Sequence, residues 1–261
     1  MNIANLYQSL STFPQVQAIA LGGSRAGENF DKKSDYDVYL YITAPIPEEQ
    51  RKSVLEEYCT RMEIGNHYWE LEDNCTLKNG CDIDILYRNL ESFQQEVASV
   101  VEDCISHNGY TTCLWHNVIN SKIIFDRQGE FATMQKRFQV SYPQQLKKNI
   151  IENNMKLLDG YLPSYSGQIA KAVDRMDLVS INHRVTEFLA SYFDILFALN
   201  EQTHPGEKRL VEMCKKNCQV LPKNFEENLN LLFASMLDVK STKEVTVKQI
   251  ATIVEELKKI I

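Results

Sequence analysis

The chain has 261 residues, enough to bury one large core or two smaller ones, and its 44% hydrophobic and 24% charged content is that of an ordinary soluble protein. No apolar run approaches the ~20 residues of a membrane span, and Met1-Asn2-Ile3-Ala4-Asn5 carries no basic leader, so a cytoplasmic protein is expected. The net charge of −7 is uneven: residues 1–140 hold 12 Lys and Arg against 20 Asp and Glu (net −8), residues 141–261 hold 16 against 15 (net +1), which argues against a long nucleic-acid partner needing a basic track.

In chain order, a helix over Ile3–Ser11 precedes an apolar strand, Gln17–Leu21. A turn and a short helix lead to a second strand, Tyr36–Ile42. Pro45 and Pro47 introduce a helix running to Met62, with proline near its first turn. His67–Leu71 and Asp82–Tyr87 read as strands, with Asn74–Gly80 as strand and turn between them; Asn79-Gly80 is the hairpin signal. A helix over Leu90–His107 and a short strand over Ser121–Asp126 close the first part. From Pro143 onward the period is helical: Pro143–Asp159, Gly167–Arg175, Leu178–Asn200, Glu207–Cys214, Asn224–Ala234 and Val245–Ile260. Asp177 reads as the N-cap of the third of these. The expected architecture is an α/β (α+β) domain with a small mixed sheet over residues 1–140, then an all-α helical bundle over 141–261.

The chemistry concentrates at the first turn. Gly22-Gly23-Ser24-Arg25 follows the first strand, and after ten intervening residues Ser24 is followed by Asp35-x-Asp37 at the mouth of the second. Glycines allow positive φ and close approach of backbone to a ligand, and N–H groups in such a turn form a concave anion site. Ser24 adds a hydroxyl donor and Arg25 a charge. Asp35 and Asp37 alternate, so on a strand they share one face. Two carboxylates there repel unless a cation sits between them, and Mg²⁺ would also take phosphate oxygens as ligands. Asp82 and Asp84 alternate likewise on a later strand. If that strand lies beside Val38–Ile42, one of them joins the pair, and three carboxylates can hold two metals for in-line phosphoryl or nucleotidyl transfer.

Gly23-Ser24, Asp35-x-Asp37 and the strand acid Asp84 together resemble the DNA polymerase beta-type nucleotidyltransferase superfamily. Gly22–Ala26, Ser34–Asp37 and Asp84–Leu90 resemble its small bacterial branch of antibiotic nucleotidyltransferases and DUF4037-like relatives. Leu114-Trp115 to Ile124–Gly129, and Phe197–Asn200 with Pro205–Leu210, extend that resemblance along the chain. It implies a nucleotidyltransferase domain at 1–140 and Mg²⁺-dependent transfer of a nucleoside monophosphate, with ATP the expected donor, to a hydroxyl of a small molecule, releasing pyrophosphate. Gly23, Ser24 and Arg25 would hold the triphosphate, with Lys208 as a further contact; Asp35 and Asp37 would bind metal, and Asp84 would be the third acid, bridging metal or acting as general base on the acceptor. Asp82 is the reserve third acid, because register could place either at the metals. A cationic, aminoglycoside-like acceptor suits the acidic first half, and antibiotic resistance would follow from it.

Two rival readings are a toxin-type transfer to a protein or a tRNA end, and a nucleotide-binding regulatory module without turnover. Blander readings also apply to single residues. Lys208 can equally be an exposed helix lysine. The tyrosines at 36, 39, 41 and 68 and Trp69 fit strand packing as well as base stacking. The seven cysteines form no framework, and the five histidines have no metal-ligand spacing with them, so buried free thiols in a reducing compartment are expected.

Overall fold

The structure, a computed structural model, describes residues 3–26, 34–68, 70–237 and 242–261. The chain forms two compact units, residues 1–99 with 115–140, and residues 100–114 with 141–261.

The first unit contains α1 (Ile3–Ser11), β1 (Val16–Leu21), the four-residue α2 (Gly23–Ala26), β2 (Tyr36–Ile42), α3 (Glu48–Glu56), β3 (Cys59–Asn66), β4 (Glu72–Leu77), β5 (Asp82–Asn89), all but the last two residues of α4 (Leu90–Val101), all but the first two of α5 (Cys113–Asn120), β6 (Lys122–Asp126) and α6 (Glu130–Phe138). The strands form one mixed sheet in the order β3-β4-β5-β2-β1-β6. Among the described residues only β2 and β5 pair in parallel; the other pairs are antiparallel. The two faces differ because side chains alternate. On one, Val38, Leu40, Ile42, Ile83 and Ile85 pack with Leu6 and Leu10 of α1. On the other, β2 presents Asp37, Tyr39 and Tyr41 in turn. Tyr41 is buried against Phe93 and Phe131, at 5.3 and 4.4 Å between ring centres. Arg88, level with Tyr41 across the β2–β5 ladder, is buried in a bidentate pair with Glu70 at 2.6 and 2.7 Å and lies over the Tyr39 ring. The Tyr41 end of this face is therefore packed shut by aromatic rings, whereas its acids lie at the opposite end of the strands.

The second unit is helical: α7 (Gln144–Met155), a wide π-turn (Lys156–Gly160), α8 (Tyr165–Asp174), α9 (Leu178–Leu199), α10 (Leu210–Asn217), α11 (Phe225–Leu237) and α12 (Thr242–Lys258). Phe188, Tyr192 and Phe197 of α9 pack with Leu232 and Ile253 in its core. Asp177 caps α9 by accepting a bond from the Ser180 N–H at 3.0 Å, as expected. All seven cysteines are free, with Cys59, Cys75, Cys214 and Cys218 buried. Among the described residues no helix is long and apolar enough to cross a membrane.

Several expected elements need correction. The helix after Pro47 stops at Glu56, not Met62, and Cys59–Asn66 is a strand at the sheet edge. That strand displays Arg61 and Glu63 to solvent, so it lacks the apolar alternation that betrays an inner strand. Residues 67, 68, 70 and 71 are not strand, and Trp69 lies outside the described residues. The helix from Leu90 ends at Val101, not His107, and left-handed Cys104 and Tyr110 shape the loop beyond it. Helices α5 and α6 add to the expected elements. The helix expected from Glu207 begins at Leu210, because Arg209 is itself left-handed (φ 56°).

Candidate functional site

The parallel β2–β5 register sets Asp37 directly beside Asp84. Further pairings put Asn74 beside Asp84 and Glu63 beside Asn74, so four strands contribute one polar row: Asp37, Asp84, Asn74, Glu63. The row alongside holds Asp82, Thr76 and Arg61. A cleft of about 340 Å³ opens over this surface, lined by Asp35, Arg61, Glu63, Asn74, Asp82 and Asp84 among others. Asp84 Oδ1 accepts from Asn74 Nδ2 at 2.7 Å, and Asp82 Oδ1 from the Thr76 hydroxyl at 2.8 Å. Burial, with the charge of Asp84 behind it, pushes the neighbouring Glu72 carboxyl up from the usual range.

The glycines earn their place sterically. A Cβ on Gly23, whose φ is +57°, would fall 1.7 Å from Asp37 Oδ2; one on Gly22 would fall 2.2 Å from the Tyr39 ring. The Gly22 N–H donates to the Asp37 carbonyl at 2.8 Å. The turn thus lies flat on β2, with Asp37 pressed against it. Ser24 is exposed in α2 immediately beyond. Arg25 reaches across the motif: its Nε donates to the Ser34 carbonyl at 2.7 Å and the Asp35 carbonyl at 3.1 Å, and its guanidinium lies 3.8 Å over the Tyr36 ring. Its visible work is to hold the segment that delivers Asp35. Residues 27–33, the middle of the motif, lie outside the described residues.

The donor set suits a hard cation such as Mg²⁺, which binds through one or two carboxylates and substrate phosphates rather than a full protein cage. Among the described residues, however, no three His, Cys, Asp or Glu side chains are gathered into a group able to hold a metal ion. Adjacent like charges are expected to diverge in this way; here Asp84 is bonded to Asn74 and Asp82 to Thr76. Lys208 belongs to the second unit and is exposed, in the turn before α10. Of the candidate stacking tyrosines, Tyr41 and Tyr39 are buried, Tyr36 is covered by Arg25, and Tyr68 is 80% exposed. Sequence reasoning missed Asn74, Glu63 and Arg61. The alternation Glu72-x-Asn74-x-Thr76 was the available signal for a polar strand face.

Residues 111–210 match the family described as a domain of unknown function, DUF4037. The two later stretches that carried the resemblance to that branch, 114–129 and 197–210, fall inside the match. No curated protein matches the chain. Similar solved structures include a nucleotidyltransferase-like protein from Exiguobacterium sibiricum, at 11% identity over 99% of this chain and 76% of that one, with a TM-score of 0.47. An aminoglycoside 6-adenyltransferase from Bacillus subtilis is similar at 9% identity over 99% and 88% of the two chains, with a TM-score of 0.33. The CCA-adding enzyme of Thermotoga maritima, in complex with tRNA, is similar at 11% identity over 99% and 79%, with a TM-score of 0.27.

Proposed function

We propose that this protein transfers a nucleoside monophosphate, with ATP the expected donor, to a hydroxyl of a small acceptor and releases pyrophosphate. The observation that carries the reading is the placement of Asp37 between the Gly22-Gly23 turn and Asp84: a turn suited to phosphate adjoins two carboxylates in adjacent strands. Catalysis is assigned to the domain at 1–140, with 141–261 as its helical companion.

In this mechanism the Gly23 backbone and the Ser24 hydroxyl hold the triphosphate. Arg25 keeps Asp35 in position while adding positive charge nearby, and Lys208 is a further candidate for the phosphates. Asp35, Asp37 and Asp84 are the residues that would hold Mg²⁺. When bound, the ion offsets charge on the transferring phosphoryl group and makes the attacking oxygen more nucleophilic. Asp84 accepts the proton of the acceptor hydroxyl. The acidic side chains lining the cleft, Glu63 and Asp82 among them, favour a cationic acceptor of aminoglycoside type, whose binding would weaken with salt.

The test is pyrophosphate release from Mg²⁺–ATP across an aminoglycoside panel, with a tRNA pool and a protein lysate in parallel. Release with a small cation, lost in Asp84→Ala and retained in Asp82→Ala, supports the reading. Labelling of tRNA or protein alone would replace the acceptor, loss in Asp82→Ala alone would move the third acid, and nucleotide binding without any release would leave a regulatory module.

A further inference from the structure

We infer that Asn74 and Asn66 form a one-way hydrogen-bond relay whose purpose is to position the Asp84 carboxylate for the metal–nucleotide complex. The inference deepens the proposed function and rests on it. The Tyr68 backbone N–H donates to Asn66 Oδ1 at 2.8 Å, Asn66 Nδ2 donates to Asn74 Oδ1 at 2.8 Å, and Asn74 Nδ2 donates to Asp84 Oδ1 at 2.7 Å.

The direction of this chain is set at both ends. A backbone N–H can only donate, so the oxygen of Asn66 must face Tyr68 and its NH₂ must face Asn74. That turns the oxygen of Asn74 toward Asn66 and its NH₂ toward Asp84, and an ionised carboxylate can only accept. Flipping the Asn74 amide would break two bonds at once and set oxygen against oxygen at Asp84. The cross-strand register supplies the geometry, since Asn74 pairs with Asp84 and the irregular end of β3 brings Asn66 over Asn74.

The relay answers a problem the acids create. Asp84 has Asp37 as its neighbour in the ladder, and Glu72 lies close enough for the two to repel. A flexible carboxylate in such company swings toward solvent. A neutral amide secures one oxygen without adding a cation that would compete with a metal, and leaves the rest of the carboxylate's accepting capacity for a ligand. Asn74 and Asn66 are thus positioning residues, acting through Asp84.

Full-length protein is titrated with Mn²⁺ in the presence of an α,β-methylene ATP analogue, following water-proton relaxation, with thermal melting as a check on folding. Asn74→Leu, similar in size but unable to donate, is expected to weaken Mn²⁺ binding about 10- to 100-fold, the usual loss when the hydrogen-bond partner of a metal ligand is removed. Asn66→Leu is expected to weaken it less, and the double variant to be no weaker than Asn74→Leu, because both act through one chain. Unchanged binding in a folded Asn74→Leu protein, or additive losses in the double variant, would overturn the relay while leaving the functional reading standing. If Asn74→Leu does not fold, the Asn66→Leu arm decides: a loss there supports the relay and wild-type binding overturns it. Failure of the wild-type protein to bind Mn²⁺ with the analogue would instead overturn the functional reading, and the relay's purpose with it.

Discussion

Asp73 and Asn74 are consecutive residues of β4, and they open onto opposite faces of the sheet with opposite treatments of carboxylate. On the core face Asp73 is fully buried and held by three donors: Arg51 and the Gly65 N–H donate to one oxygen at 2.6 and 2.9 Å, and the Tyr87 hydroxyl to the other at 2.8 Å. Burial still pushes its carboxyl above the usual range, against the pull of those three donors. On the cleft face Asp84 accepts from one amide and borders open volume. The lesson is that donor count separates a carboxylate that holds a fold from one that keeps capacity for a ligand.

The sharpest way to break this comparison is at the cleft. Asp35→Asn and Asp37→Asn are each expected to lower pyrophosphate release by about a thousandfold, the order seen when charge stabilisation is lost from a transition state, with no change in melting temperature. Near wild-type release at saturating Mg²⁺ would remove these residues from the site. The core face should answer in stability instead. Asp73→Ala leaves the buried Arg51 guanidinium without its carboxylate and is expected to cost about 3–5 kcal/mol in urea unfolding. Its specific activity per folded molecule should stay near wild type.

Asp194 in the second unit extends the comparison to pH. It is 1% exposed, accepts bonds from the Thr111 N–H and hydroxyl and from Asn154, and burial drives its pKa up to about 7. Folding therefore favours the protonated form: the contribution is full below about 3.8, the ordinary value, and is lost as pH rises through about 7. Asp194→Asn, which cannot ionise, should gain stability relative to wild type between pH 5 and pH 8, amounting to a few kcal/mol. A difference that does not vary with pH would refute this. The smallest effect is expected at the turn: Gly23→Ala must hold an alanine at φ +57°, at a cost of about 1–2 kcal/mol, and displaces the Asp37 carboxylate. Activity should fall further than that loss of stability explains, measured as release per folded molecule.

The turn motif and the alternating acids were legible in the sequence because their meaning lies within a dozen residues: spacing after an apolar run, and a period of two along a strand. The cap at Asp177 was legible for the same local reason. Asn74 was not, because its role exists only once β4 lies between β3 and β5 in a particular register. Strand β3 was hidden by its own edge position, where Arg61 and Glu63 resemble the charged face of the preceding helix. The loop after Val101 was hidden because its anchor, Asp194, lies more than eighty residues further along the chain.

The parallel pairing of β2 with β5 has a consequence for how this protein can vary. Strands β2 and β5 run the same way, so the chain between them, residues 43–81, must travel back before β5 begins. Insertions in that return path can leave Asp37 and Asp84 opposite one another as long as the two ladders stay aligned. A slip of one residue in β5 is different in kind. It would exchange Asp84 for Ile83 or Ile85, sending an acid into the oily side of the sheet and an isoleucine into the cleft. A slip of two would restore the alternation of faces, bringing the acid Asp82 to the place of Asp84 in one direction and the apolar Leu86 in the other. Over evolutionary time the path length is therefore free to drift, while parity along β5 is under constraint.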